Sequence, residues 1–297
     1  MRYRIRHTTK YAYDDPVAVC HNLVRLAPRT SARQTVNSYR LVVSPDAMLI
    51  GERTDLFGNR VQYFSIDESH HGLSLTAISE VGVEPSSEPQ AKSLTWESVR
   101  AQIHSAAAPL PLAACRFAYA SPHVPLNDKV REYAAPSFTP GRSILEAAKD
   151  FTARLHNDFD YDPRATTVST PISVALEQRA GVCQDFAHVQ IAGLRAMGLA
   201  ARYVSGYLRT LPPPGKERLV GADASHAWLS VYVGDGAWVD LDPTNNCVPG
   251  TDHVTVAIGR DYGDVCPIQG VFVGGGSHTM SVSVDVAPLT AKPTTTP

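Results

Sequence analysis

The chain opens on alternation. Residues 3–11, 38–43, 60–66 and 73–83 either alternate apolar and polar positions or are rich in β-branched residues. A period of two sends successive side chains to opposite faces of a strand. Turn-forming clusters, Ser44-Pro45-Asp46 and Phe57-Gly58-Asn59, separate these runs. Residues 1–84 are therefore predicted to form an antiparallel β domain. Glu84-Pro85-Ser86-Ser87-Glu88-Pro89-Gln90 then offers no large apolar residue, and residues 85–92 read as a linker.

Beyond the linker the period lengthens. Helical spacing appears at residues 95–107, 127–134, 143–157 and 172–179. Ser143, with Glu146 three residues on, has the form of a capping box. A further helix runs from Cys183 to Met197 and stops at Gly198. Its apolar residues, Phe186, Val189, Ile191, Leu194 and Met197, occupy most of its circumference, which places it inside a domain. Strands are predicted at residues 200–208, 227–233 and 237–241, with an exposed Pro-rich loop at 211–216. Residues 93–273 thus form an α+β core. In the remainder, 274–297, the run Gly274-Gly275-Gly276 reads as a hinge and residues 281–286 as an edge strand. The tail from Thr290 is expected to be disordered.

Composition narrows the classes. The chain of 297 residues is 43% hydrophobic and 19% charged, with Lys+Arg 27 against Asp+Glu 29 and a formal charge of −2. That balance points to neither nucleic acid nor an anionic membrane as partner. Met1 to Lys10 carries no continuous apolar stretch and reads as a strand rather than a signal peptide. No apolar run approaches the roughly 18 residues of a spanning helix. The five cysteines are scattered and form no CxxC pair, so no metal site or disulfide framework is indicated. A reducing, cytoplasmic location is expected. No motif for a cofactor is present, and the oligomeric state is open.

The chemistry concentrates around one of those cysteines. Cys183 sits in Gly181-Val182-Cys183-Gln184-Asp185, where a loop becomes the buried helix. Unpaired N–H groups and the positive end of the helix dipole favour a thiolate there. Downstream, alternation puts His226 on one strand face with Trp228, Ser230 and Tyr232. The returning strand carries Asp242 in phase with Asp240 and Trp238. A connection with an odd number of residues, such as Gly234-Asp235-Gly236, brings Asp242 onto the face of His226, directly opposite or one pair diagonal. Cβ separations are then roughly 4.5–8 Å. A two-residue Asp-Gly turn would put them on opposite faces. Imidazole can take the thiol's proton and later protonate a leaving amine, and a carboxylate on its second nitrogen would orient it. The Cys183 N–H is the first oxyanion donor expected; Tyr161 and the Gln184 side chain are candidates for the second.

These blocks resemble a family. Residues 181–188 (Gly-Val-Cys-Gln-Asp-Phe-Ala-His), 198–207, Ser225-His226-Ala227-Trp228 and residues 238–245 are similar to those of bacterial transglutaminase-like proteins, of the papain-like thiol superfamily. The resemblance extends to Phe159-Asp160-Tyr161 and to the β-rich start, including Thr8-Thr9-Lys10-Tyr11. It implies a helix carrying the nucleophile packed on an antiparallel sheet, with an N-terminal antiparallel β domain. It also implies Cys183 as nucleophile, His226 as base and Asp242 as orienter. The superfamily contains proteases, amidases and transamidases, so an amide of a peptide or protein is the expected substrate. Hydrolysis through a Cys183 thioester is the leading expectation and protein-glutamine transamidation the alternative. A non-catalytic peptide-binding module is the alternative of another class. No Ca²⁺ loop is recognisable.

Several neighbours compete for roles. His188 projects about 140° away from Cys183 on its helix and reads as a core or supporting histidine. Asp185 stabilises the helix start. Asp240 shares the face of Asp242 but is displaced along the strand, and Asp223 reads as a loop residue. Trp228 and Trp238 are expected either to wall the cleft or to pack in the core. His21, His70 and His71 are expected at the surface.

Overall fold

A computed structural model of the chain describes residues 1–85, 94–105, 113–210 and 223–289. Most of the 85–92 linker, the 211–216 loop and the tail from Thr290 lie outside these residues.

The early alternation forms strands longer than the pattern suggested. β1 (Arg2–Val24) is a 23-residue strand that serves two lobes of a seven-stranded sheet. Its first half pairs antiparallel with β5 (His70–Val83), from Arg2 opposite Gly82 to Ala12 opposite Gly72. Its second half pairs with β4 (Arg60–Ile66), from Cys20 opposite Ile66 to Val24 opposite Gln62. β2 (Gln34–Ser44) lies on β5, and β3 (Met48–Thr54) on β4.

The other edge of β1 is covered from the far end of the chain. β12 (Ile268–Gly274) pairs with the second half of β1, and β13 (His278–Pro288) with the first half. Tyr13 faces His278 and Val17 faces Gly274, and the register then slips by one residue, so that Val19 faces Val273. Gly274-Gly275-Gly276 thus lies where β12 gives way to β13, two strands that both pair with β1. Positive φ values of 95°, 86° and 58° let the chain step around Asp14-Asp15-Pro16, conformations that residues with a Cβ avoid. Asp14 and Asp15 N–H groups donate to the Ser277 and Gly275 carbonyls at 3.0 and 3.1 Å. The expected strand over 281–286 forms within β13.

Three helices begin after a capping side chain, the one predicted at Ser143 among them. α1 (Trp96–His104) starts after Thr95, α2 (Asp128–Ala134) after Asn127 and α3 (Ile144–Asp158) after Ser143, each cap side chain accepting a backbone N–H. α4 (Ile172–Gln178) lies between the two strands of a short parallel pair, β6 (Asp160–Tyr161) and β7 (Ala180–Gly181). α5 (Cys183–Ala196) is buried at every residue from Gln184 to Arg195. It crosses a second sheet of order β10-β9-β8-β11, made of β8 (Ala201–Leu208), β9 (Ala224–Gly234), β10 (Ala237–Leu241) and β11 (His253–Gly259). A single turn, α6 (Tyr262–Val265), follows. No helix among the described residues is long and apolar enough to cross a membrane.

Two amide side chains join the sheets. Gln34 bonds both the N–H and the C=O of Thr255, at 2.8 and 2.7 Å. Asn59 does the same for Ile258, at 2.9 and 2.8 Å. Both imitate a neighbouring strand on β11, the outer strand of its sheet, and so occupy groups that an open edge would leave unpaired. Tyr3, Ile5, Val81 and Val83 of the first sheet also share one core with Phe186, Leu229 and Val254. The first sheet is thus built into the second through hydrogen bonds and a common core.

Candidate active site

The start of α5 is shaped by a carboxylate. Asp185 Oδ2 accepts the Val182 N–H at 2.8 Å and the Thr166 hydroxyl at 2.5 Å. A Cβ at Gly181 would lie 2.5 Å from that same oxygen, so glycine is required for the close approach. Asp185 is thereby a helix-start residue, its carboxyl pushed up by burial while its hydrogen bonds oppose the shift. Cys183 follows, half-buried, and its N–H belongs to the first helical turn, which has no intrahelical acceptor.

The β9–β10 hairpin carries the partners. Its turn is the two-residue Asp235-Gly236 type, with φ of 52° and 81°, the left-handed pair that such hairpins need. By itself that turn would put His226 and Asp242 on opposite faces. A bulge restores the phase: Ala237 faces Gly234, but Trp238 already faces Tyr232. Five residues lie between the paired Tyr232 and Trp238, an odd number, and Asp242 falls one pair diagonal from His226. The register expectation holds, through a bulge that the three-residue loop had stood for.

The side chains meet accordingly. His226 Nε2 lies 2.7 Å from Asp242 Oδ2. The thiol of Cys183 hydrogen-bonds the same imidazole; with Nε2 on the carboxylate, Nδ1 is the nitrogen left for sulfur. Burial pushes the imidazole pKa down, but the hydrogen bonds and charges of Asp242 and Cys183 outweigh it and raise it to about 10. Asp242 is fully buried, and burial alone would raise its carboxyl. Bonds from His226, His253 and Asn245 instead hold it well below the usual carboxylate range. Oδ1 accepts the Thr244 and Asn245 N–H groups at 3.0 and 3.2 Å. The Asp-Pro-Thr-Asn sequence is therefore a loop folded back on its own carboxylate.

One partner is absent from the sequence reading. His253, the first residue of β11, places Nε2 3.0 Å from Asp242 Oδ2, so that two imidazoles share one carboxylate oxygen. Its strand was not predicted, although Val254-Thr255-Val256-Ala257-Ile258 is rich in β-branched residues. Asn245 Nδ2 donates to that oxygen too, at 2.7 Å. His226, Asp242 and His253 present three potential ligand atoms within 4.8 Å of one another, a set able to hold a cation. The carboxylate oxygen is already met by three donors, and the cluster reads as a hydrogen-bond network.

The remaining candidates separate. Tyr161 is 56% exposed on β6, beside the nucleophile's loop; burial, then the charge of Cys183, raises its phenol. Gln184 donates its side-chain amide to Val168 O at 3.1 Å and so ties the 162–171 loop to the helix. Trp228 does not wall an open cleft: it is fully buried, with its ring 6.0 Å from His226 and 5.3 Å from His253. A Cβ at Gly206 would lie 2.5 Å from the Trp228 ring, so that glycine makes room for it. Trp238 stacks under Arg202, away from the His226–Asp242 pair. His188 accepts the Tyr262 N–H at 3.1 Å, and burial lowers its pKa to about 3. Asp223 is buried and holds Thr210 and the Val286 N–H. His70 is buried against Tyr13 rather than at the surface, because it opens the long strand β5. Among the other cysteines, burial raises the thiols of Cys20 and, to about 11, Cys247.

A thiol at a helix start, an imidazole and a buried carboxylate on an antiparallel sheet define the papain-like thiol architecture. Residues 3–82 match the bacterial transglutaminase-like N-terminal region and residues 131–243 the transglutaminase-like superfamily. An uncharacterized protein of Mycobacterium tuberculosis is 42% identical over 299 residues, 97% of this chain and 93% of that one. The chain belongs to the bacterial transglutaminase-like proteins. A protein-glutamine gamma-glutamyltransferase of Pseudomonas aeruginosa is 32% identical over 105 residues, covering 33% of this chain and 16% of that one. The fold is shared with a proposed cysteine protease of Cytophaga hutchinsonii, with a TM-score of 0.77 at 23% identity over 99% of this chain and 92% of that one.

Proposed function

We propose that this chain is a cysteine-dependent amide acyl-transfer enzyme that hydrolyses a peptide or protein amide through a thioester on Cys183. The observation that carries the reading is the chain of contacts from Asp242 through His226 to the thiol, with the imidazole raised to about 10. An imidazolium at neutral pH beside the sulfur supplies both the thiolate's counter-charge and the proton for the leaving group.

The steps balance on these groups. The Cys183 thiolate attacks the amide carbonyl, and the oxyanion is received by the Cys183 N–H. His226 gives its Nδ1 proton to the amine as the C–N bond breaks. His226 then takes a proton from water, whose oxygen attacks the thioester; the C–S bond breaks and the acid leaves. Transamidation replaces that water by an amine. Likeness to the P. aeruginosa glutamyltransferase favours keeping this second reading; water's constant presence favours hydrolysis. Intact Cys183, His226 and Asp242 argue against a module that only binds peptides. Five free cysteines suit a reducing, cytoplasmic location.

The test is mass spectrometry of the intact protein and products after incubation with a peptide library, with and without primary amines. An acyl adduct on Cys183 and a water-resolved product are expected. Amine-exchanged product in excess would replace hydrolysis by transamidation. No adduct and no turnover in any arm would leave the binding module as the reading.

A further inference from the structure

The side of the second sheet that holds His226 continues into a cavity the proposed chemistry does not use. Its volume is about 340 Å³, at the small end of ligand pockets. One wall is the loop carrying Arg29, Thr30 and Arg33 of the first sheet; the floor includes Arg202, Trp238 and Asp240. Arg202 lies opposite Ser230, which lies opposite Asp240, so the three form one row across β8, β9 and β10.

Two polar atoms in this row lack hydrogen-bond partners among the described residues. Arg202 Nε is shut away from solvent with no hydrogen bond, and so is Ser230 Oγ, whose residue is fully buried. Arg202 forms no ion pair within 4.0 Å among the described residues; its guanidinium stacks on Trp238 at 4.2 Å. Burial lowers its pKa only to about 10, so it is charged at neutral pH. Of the two residues Arg202 lines the cavity, and a charged guanidinium without an ion pair there calls for an acceptor within it. Arg29 adds positive charge while its Nη1 is committed to Phe57 O and Asn59 Oδ1. Arg33 is committed to the Pro249, Gly250 and Glu84 carbonyls. Asp240 works against an anion and restricts it to the Arg202 end. The walls away from the arginines are apolar: Val204, Val248 and Ile258.

We propose that this cavity is a binding site for a small organic carboxylate, its head on the guanidinium of Arg202 and its apolar body against Trp238 and Val248. The site is separate from the nucleophile. Arg202 lies four positions along β8 from Gly206, the residue opposite His226, or about 13 Å at the rise of a strand. Trp228 spans that interval, with its ring beside His226 and its Nε1 donating to Asp240 Oδ2 at 3.4 Å.

Calorimetry on the intact chain, titrated with hexanoate, phenylacetate and inorganic phosphate at constant ionic strength, tests the assignment. Running it on Cys183→Ala as well keeps binding apart from turnover. Saturable binding of at least one of the two carboxylates at one site per chain is expected. Arg202→Met, which keeps an apolar stem on Trp238, should weaken it about tenfold or more, the loss of a charge-assisted hydrogen bond. Arg202→Gln, which also removes the charge, should weaken it similarly and serves as the probe should Arg202→Met not fold. No saturable carboxylate binding to the wild type overturns the site. Affinity unchanged in the folded Arg202→Met variant, or in Arg202→Gln where that serves as the probe, does the same. Phosphate binding as tightly as the carboxylates overturns the ligand class.

Discussion

The two faces of the β8–β11 sheet are built on opposite terms. One face presents Tyr203, Ala227, Leu229 and Val231 to α5, and these residues join the main apolar core. The other presents Arg202, His226, Trp228, Ser230 and Asp240, with Asp242 at its end, and polar groups dominate it although most are buried. Each face has a nearly inaccessible histidine. His188, against Tyr203 and His123, meets no carboxylate in a hydrogen bond among the described residues, and burial drives its pKa to about 3. His226, on Asp242 and the thiol, goes to about 10. Burial acts in the same direction on both, so partners decide which imidazole carries charge. One face supplies apolar packing and the other holds ions in place.

The most severe break in this contrast is at sulfur. Cys183→Ala should remove amide turnover, about 10⁵-fold or more, while leaving the unfolding midpoint nearly unchanged, because the thiol is only half-buried. Rates measured with a peptide substrate, alongside a denaturant melt, decide it. Retained turnover would move the nucleophile elsewhere.

Asp242→Asn removes the charge and keeps a comparable shape. A fall of about 10²–10⁴ in kcat/KM is expected, with the alkaline limit of activity moving to lower pH, since the imidazole loses its anion. The stability sign follows from the raised pKa. The His226 contribution is fully present below its unfolded value near 6.5 and fades as pH rises through about 10. In the variant that alkaline loss should begin earlier. A pH–rate profile and melts from pH 6 to 10 read both, and an unmoved alkaline limb would detach Asp242 from His226.

Legibility in the sequence follows the same division. The cap at Ser143, the glycine at 198 and the period of two along residues 73–83 act over a few residues, and these elements appear where predicted. Cys183, His226 and Asp242 were readable because a helix start and a hairpin are also local. What escaped is long-range. The return of β12 and β13 to β1 joins residues more than 240 positions apart. His253 reaches Asp242 from β11, which pairs with β8 far back in the chain and is tied to the other sheet by Gln34 and Asn59. The bulge at the β9–β10 turn was hidden for a different reason, since Gly234-Asp235-Gly236 fits either a three-residue loop or a two-residue turn plus one extra residue.

His253 tests whether the polar face works as a network. His253→Phe keeps a ring against Trp228 and deletes one donor to Asp242, so Asp242 and His226 lose part of their orientation. The expected fall in kcat is roughly ten- to hundredfold, with KM little changed. His253→Gln, whose amide can donate again, should restore most of it. A packing role alone would lower the melting temperature in both variants and leave the pH–rate profile in place.

The gentlest test lies on the apolar face. His188→Leu deletes the acceptor of the Tyr262 N–H and should cost about 1–3 kcal/mol of stability, with turnover per folded molecule nearly unchanged. Its value lies in the acid limb. The folded-state pKa near 3 lies below the unfolded value of about 6.5, so between these limits only the unfolded chain takes up the proton. Wild-type stability attributable to His188 is complete above 6.5 and drains as pH falls toward 3, by at most about 1.4 kcal/mol per pH unit. Leucine has no proton to take up, so the variant's acid limb should be shallower by that amount, whereas Asp242 makes the same acidic contribution in both proteins. Denaturant melts at pH 7, 5.5 and 4.5 suffice to compare the slopes. Equal slopes would mean that His188 titrates alike folded and unfolded, and the contrast between the two imidazoles would then rest on His226 alone.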